Sequence, residues 1–212
     1  LNAKLDKWLT EKEWLMREVH HRVKNNLQMV TSLLHTQSAH LKDEAAIQAV
    51  KDSLRRMQAI SLIHQKLYQG ENISTIDMPD YINELVRYLH ESFEIGNRIV
   101  FEQTIERLEL DETQATPLGL IINESIVNAI KYAFLNGQNG IVRINLQRDG
   151  ADHLLLNISD NGVGLPAGFD LFEHNSLGLE LMQGLARQLN GTFTIENNKG
   201  VHILVRFNML KN

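Results

Sequence analysis

Four short stretches of this sequence hold side chains whose type and spacing can do chemistry. In "NESIVNAIKYAF", Glu124, Asn128, Lys131 and Tyr132 recur at helical intervals on one face. A side-chain amide such as Asn128 is a neutral oxygen donor for Mg²⁺, which suits a metal whose other ligands are phosphates and water. In "DNGVGLP", Asp160 ends an apolar strand, and Gly162 and Gly164 follow at alternate positions. An aspartate so placed can accept the exocyclic amine of adenine, and the glycines let backbone approach a nucleotide. In "SLGLELM", Gly178 falls in the first turn of a helix, where free backbone N–H groups favour phosphate. None of these spacings matches the lysine-containing phosphate loop or a dinucleotide fingerprint. The fourth stretch, "EVHHRVKNNLQMV", sets His20 and His21 side by side within a helical pattern. Taken singly, each motif also reads as a turn or a packing residue. Their order and separation on one chain favour a nucleotide site.

The surrounding sequence shows what must position these groups. With 212 residues, 43% of them hydrophobic, the chain can bury a core as one large domain or two small ones. A net charge of −5 without a Lys/Arg cluster argues against nucleic acid, and the absence of cysteine excludes disulfides, thiolate metal sites and a cysteine nucleophile. No apolar run approaches bilayer length, so no membrane contact is expected and the chain is cytoplasmic in type. It begins at Leu1 directly in a helical pattern, which reads as a fragment with an upstream sensor segment.

From Leu5 to His40 there is no Pro or Gly, and Met16, Val19, Val23, Val30 and Leu33 follow steps of three and four, with Asn26 filling a gap. That is a long helix with a coiled-coil seam. A turn at Leu41 to Asp43, with Asp43 as N-cap, precedes a second helix marked by Ile47, Val50, Leu54, Met57 and Leu67. Two helices alone bury little, so a homodimeric four-helix bundle through residues 5–70 is expected. "YQGENIST" reads as a linker. Beyond it, Pro79 opens a helix to about Phe93, and Thr116 with Pro117 starts another to about Phe134. Strands are expected at "RIVFEQTI", "IVRINLQR", "HLLLNISD", "TFTIEN" and "VHILVRF", and a helix over Leu177 to Leu189. The second half is therefore an α+β two-layer sandwich.

With these motifs in this order, the sequence resembles a two-component sensor histidine kinase of the subfamily whose phosphoacceptor helix carries "HHRVKNN". The resemblance divides the chain into a dimerisation and phosphoacceptor domain over 1–70 and a GHKL-type ATP-binding domain over 75–212. It implies Mg²⁺ at Asn128, phosphate at Lys131, a nucleotide wall at Tyr132 and adenine at Asp160. It also implies glycine boxes at Gly162 and Gly164 and at Leu177, Gly178 and Leu179, and a lid near Phe169 to Phe172. Three positions depart from the usual pattern. Glu124 stands where many histidine kinases have Asn, so it is a candidate base or metal-shell residue. Gly200 is followed by Val201 rather than Thr. Arg22, not an acid, follows His21.

The heptad distinguishes the two histidines. With Met16, Val23 and Val30 at a positions, His20 is e and borders the seam, whereas His21 is f and faces water. A phosphoacceptor must meet ATP and then a second protein, so exposure favours His21. Asn25 stands four residues after His21, as the family pattern has it, and Glu18 three residues before can orient or deprotonate the ring. The implied reaction is autophosphorylation of His21 by Mg-ATP and transfer to an aspartate of a response regulator receiver domain. The alternatives are a dimeric phosphotransfer scaffold with an inactive ATP domain, and a GHKL-type ATPase or serine kinase acting through Glu124.

Overall fold

The computed structural model describes residues 2–69, 75–166, 168–169 and 176–210. The side chains of Glu13, Met16, His20 and Leu67, and residues 170–172 of the expected lid, lie outside the described residues. Two helices, α1 (Asn2–Ser38) and α2 (Glu44–Gln69), form the expected hairpin. Asp43 caps α2 by accepting the Ala45 N–H at 3.0 Å.

The apolar band of α1 is wider than α2 can cover. Val23, Leu27, Thr31 and Leu34 are half-buried on the hairpin side, whereas Val19, Val30 and Leu33 stay 54%, 44% and 58% exposed. Only part of the expected seam is thus internal to the hairpin.

After α2 come β1 (Thr75–Asp77), α3 (Met78–Ser92), β2 (Ile99–Ile105), β3 (Glu109–Asp111) and α4 (Glu112–Asn128). A π-helical turn (Ala129–Ala133) continues α4, followed by β4 (Gly140–Arg148), β5 (His153–Asp160), α5 (Leu177–Gln188), β6 (Thr192–Asn197) and β7 (Val201–Asn208). The main sheet has the order β2-β4-β5-β7-β6, with β2 and β4 parallel and the other pairs antiparallel. Strict alternation puts Val142, Ile144 and Leu146 of β4, Leu154, Leu156 and Ile158 of β5, and Ile203, Val205 and Phe207 of β7 inside. They share one core with α3, α4 and α5, so helices cover one face of the sheet and the fold is the expected two-layer sandwich. Each such apolar side chain contributes about 1.5–3 kcal/mol on full burial.

Two local expectations change. Helix α4 starts at Glu112, not Thr116, because Asp111 accepts the Gln114 N–H at 3.0 Å and caps it earlier. Pro117 therefore lies inside the helix. The short strands β1 and β3 pair antiparallel, with Ile76 opposite Leu110, an exchange too short for alternation to reveal.

Helix α2 also packs into the core of the second half. Ala59 and Ile63 are fully buried with α3 and α4, and Lys66 Nζ donates to Asp80 at 2.6 Å and Glu84 at 2.8 Å. Burial alone would lower the Lys66 pKa, but the bonds to the two carboxylates outweigh it and the net shift is upward.

Candidate nucleotide site

One end of the sheet, roofed by α4 and α5, encloses a cavity of about 500 Å³. Val142, Ile158, Ile203, Ala129, Leu179 and Ile195 give it aliphatic walls. Asp160, the last residue of β5, is 7% exposed and also lines it. The carboxylate is held by backbone: its Oδ1 accepts N–H groups from Gly162 at 2.8 Å and Val201 at 3.3 Å. The departure at Val201 thus leaves Asp160 supported, because the main-chain amide supplies a donor and the side chain adds to the apolar wall.

Two glycines make this corner possible. A Cβ on Gly162 would lie 2.3 Å from the Ala133 carbonyl oxygen, and one on Gly200, at φ +126°, would lie 1.9 Å from the Asp160 carbonyl oxygen. Gly164 lines the same cavity, as do Tyr132 and Phe169. An apolar slot with one fixed, buried carboxylate fits a flat heterocycle that carries an amine.

The polar end lies where α4 passes into the π-helical turn, a distortion that recurs at functional sites. Asn128 and Tyr132 line both the apolar cavity and a second one, also about 500 Å³, which opens between α4 and α2. Glu124, Lys131, Leu177 and Gly178 line the second cavity, and a Cβ on Gly178 would come within 3.1 Å of Glu124 Oε2. Ser176 caps α5, accepting the Leu179 N–H at 3.3 Å, which sets the N-terminus of the helix beside Asn128 and Glu124. Asn123 is buried there, and its Oδ1 has no hydrogen-bond partner among the described residues. Among the described residues no three His, Cys, Asp or Glu side chains gather to hold a metal ion. Neutral amide oxygens beside a helix N-terminus therefore fit Mg²⁺ bound chiefly through phosphates.

Asp52 and Arg56 of α2 also reach this end, and the motif reading missed both. Arg56 grips both oxygens of Glu124, each at 2.8 Å, and Lys131 Nζ contacts both oxygens of Asp52 at 2.8 Å. The Glu124 bonds raise the Arg56 pKa above the ordinary guanidinium value despite desolvation. The signal available in the sequence was positional: Asp52 and Arg56 continue the helical face of Ala59 and Ile63, where charge is out of place.

His21 stands apart from both cavities, exposed on α1, and Asn25 is exposed one turn on. Glu18 accepts from Arg22 Nε at 2.8 Å. Leu27, Gln28, Thr31, Ser32, His35 and Thr36 share a groove with Gln58 and Ser61.

Comparison with known proteins agrees with this geometry. A family model described as histidine kinase matches residues 18–93, and one described as histidine kinase-, DNA gyrase B-, and HSP90-like ATPase matches residues 113–211. Sensor histidine kinase PdtaS of Mycobacterium tuberculosis is 31% identical over 205 residues, which are 95% of this chain and 40% of PdtaS. Blue-light-activated histidine kinase 2 of Erythrobacter litoralis is 29% identical over 89% of this chain and 57% of its own length. The chain thus spans about two fifths to three fifths of these relatives. In structure, the histidine kinase domain of an Erythrobacter litoralis blue-light activated histidine kinase superposes with a TM-score of 0.69 at 22% identity, covering 94% of this chain and 93% of that one. The mycobacterial sensor histidine kinase MprB gives a TM-score of 0.53 over 65% of this chain and 98% of its own. A helical hairpin joined to an ATPase-type sandwich, matched along nearly the whole sequence, places this chain in the histidine kinase family.

Proposed function

We propose that this chain is a catalytic core that transfers the γ-phosphoryl group of Mg-ATP to an imidazole nitrogen of His21, then to an aspartate of a response regulator receiver domain. The single observation that carries the reading is the coexistence of an exposed His21 on α1 and an apolar cavity with buried, backbone-held Asp160. Asp160 accepts the adenine amine, Tyr132 and the aliphatic walls enclose the base, and Lys131 with the N-terminus of α5 binds phosphate. When bound, Mg²⁺ supplies charge neutralisation at the triphosphate, with Asn128 as its protein oxygen and Glu124 as a second candidate.

In the first step the bond from γ-phosphorus to the bridging oxygen breaks, a phosphorus–nitrogen bond forms, and ADP leaves. The imidazole proton goes to solvent or to Glu18, which must first release Arg22. Phosphoryl transfer is chiefly positioning and charge stabilisation, so exposure of His21 matters more than a strong base.

We also assign residues 1–70 to phosphoacceptance and dimerisation and 75–212 to ATP binding, in the cytoplasm where ATP is available. The uncovered band of Val19, Val30 and Leu33 supports a homodimer, in which a second copy buries it.

Incubation with γ-labelled ATP and Mg²⁺ tests the reading. A label that is lost in acid and stable in base is expected. An acid-stable label would favour a serine kinase, and no label despite ATP binding would favour a scaffold.

A further inference from the structure

The ion pairs between α2 and α4 engage the two charged groups assigned to the phosphate end. The helices run antiparallel, and their polar contacts form a ladder: His64 with Glu112 at 3.5 Å, then the ion pairs of Arg56 with Glu124 and Asp52 with Lys131. Apolar packing at Ala59 and Ile63 lies between the first rung and the other two. Only the Arg56 and Asp52 rungs border the phosphate-end cavity.

Lys131 is held by both oxygens of Asp52, and Arg56 by both oxygens of Glu124, so a triphosphate at this end competes with a carboxylate for each cation. Release is physically accessible on one side. Asp52 also accepts from Arg55 at 2.7 Å and Gln48 at 3.0 Å, so it stays paired when Lys131 leaves. Arg56, for its part, is a cation that can follow a phosphate as readily as a carboxylate.

We propose that Asp52 and Arg56 form a latch that holds the phosphate-binding end of the ATP site against α2, and that the triphosphate of the nucleotide opens it by competing for Lys131 and Arg56. The turn-proximal end of α2 then parts from α4 while the Ala59–Ile63 packing serves as the pivot. The latch rests on the nucleotide reading of the cavity. Base binding at Asp160 is separable from it, because Asp160 is held by main-chain donors from Gly162 and Val201, whereas the latch is made by side chains of α2.

The experiment compares ATP with adenosine, which has no phosphate. Asp52→Asn should tighten ATP by about five- to tenfold, as expected when a site closed roughly nine-tenths of the time is released, and leave adenosine affinity unchanged. Glu44→Gln, which removes the same charge from the exposed first turn of α2, should leave both unchanged. Equal tightening by both variants would reduce the effect to bulk electrostatics and overturn the latch. A second measurement keeps Asp52 and Arg56 intact. The sequence has no cysteine, so spin labels at Lys51→Cys on α2 and Gln188→Cys on α5 are unique. An ATP analogue with an uncleavable β–γ link should shift their distance distribution, and adenosine should not. An unchanged distribution with the analogue bound overturns the latch alone; failure of both adenosine and the analogue to bind overturns the nucleotide reading and the latch with it.

Discussion

The two ends of the candidate site are built by opposite means. At the apolar end, Asp160 terminates a central strand and is fixed by main-chain donors from Gly162 and Val201. Its surroundings are the sheet, the helices packed on it and the glycine-containing loop that follows β5. At the polar end, Glu124 and Lys131 are fixed by side chains of a helix from the other half of the chain. Backbone geometry cannot be exchanged without unfolding, whereas side-chain ion pairs can be traded for a ligand's charges. The first end is suited to recognition and the second to movement.

The largest effect is expected from breaking the fixed end. Asp160→Ala should abolish ATP-dependent labelling and weaken adenosine binding by about 10- to 100-fold, the range of a lost hydrogen bond to a charged group, with helical content by circular dichroism unchanged. Asn128→Ala should abolish labelling too, yet weaken adenosine binding by less than about tenfold, since the amide lines both cavities while Asp160 supplies the buried carboxylate for the base. Loss of adenosine binding in that variant would erase the distinction between the ends.

Next in size is stability. Glu124 is nearly buried, so Arg56→Met leaves an uncompensated charge and should destabilise the fold by about 3–5 kcal/mol in urea unfolding. The double variant Arg56→Met, Glu124→Gln should recover much of that loss. Additive losses would show that the pair is not coupled.

The smallest effect concerns Glu18. Its pair with Arg22 is at the surface, so Glu18→Gln should alter stability by less than about 0.5 kcal/mol. It should slow labelling of His21 several-fold with ATP affinity unchanged. An unaltered rate would reduce Glu18 to a solvated helix charge.

The same division decides what was legible in the sequence. Asp160, Gly162 and Gly164 announce themselves because five consecutive residues must make one tight corner. Asn128 and Gly178 are legible for a similar reason, since helical spacing and a helix start are local properties. The Arg56–Glu124 pair spans 68 positions and obeys no spacing rule, so only the misplaced charge on the inner face of α2 hinted at it. The π-helical turn after Asn128 has no composition of its own: Ala129 to Ala133 read as ordinary helix. The band on α1 was recognisable as apolar, but periodicity does not say which part of it α2 covers, and Val19, Val30 and Leu33 turn out to face away.

Phosphorylation of His21 in the first half by an ATP site in the second is open to direct test. Mapping the phosphate after reaction with Mg-ATP, by peptide mass spectrometry at neutral pH, tests it most directly. Phosphoramidate is expected on His21 and is absent in His21→Ala, although that variant binds ATP with nearly unchanged affinity. Phosphate on His20, or on a hydroxyl side chain, would contradict it.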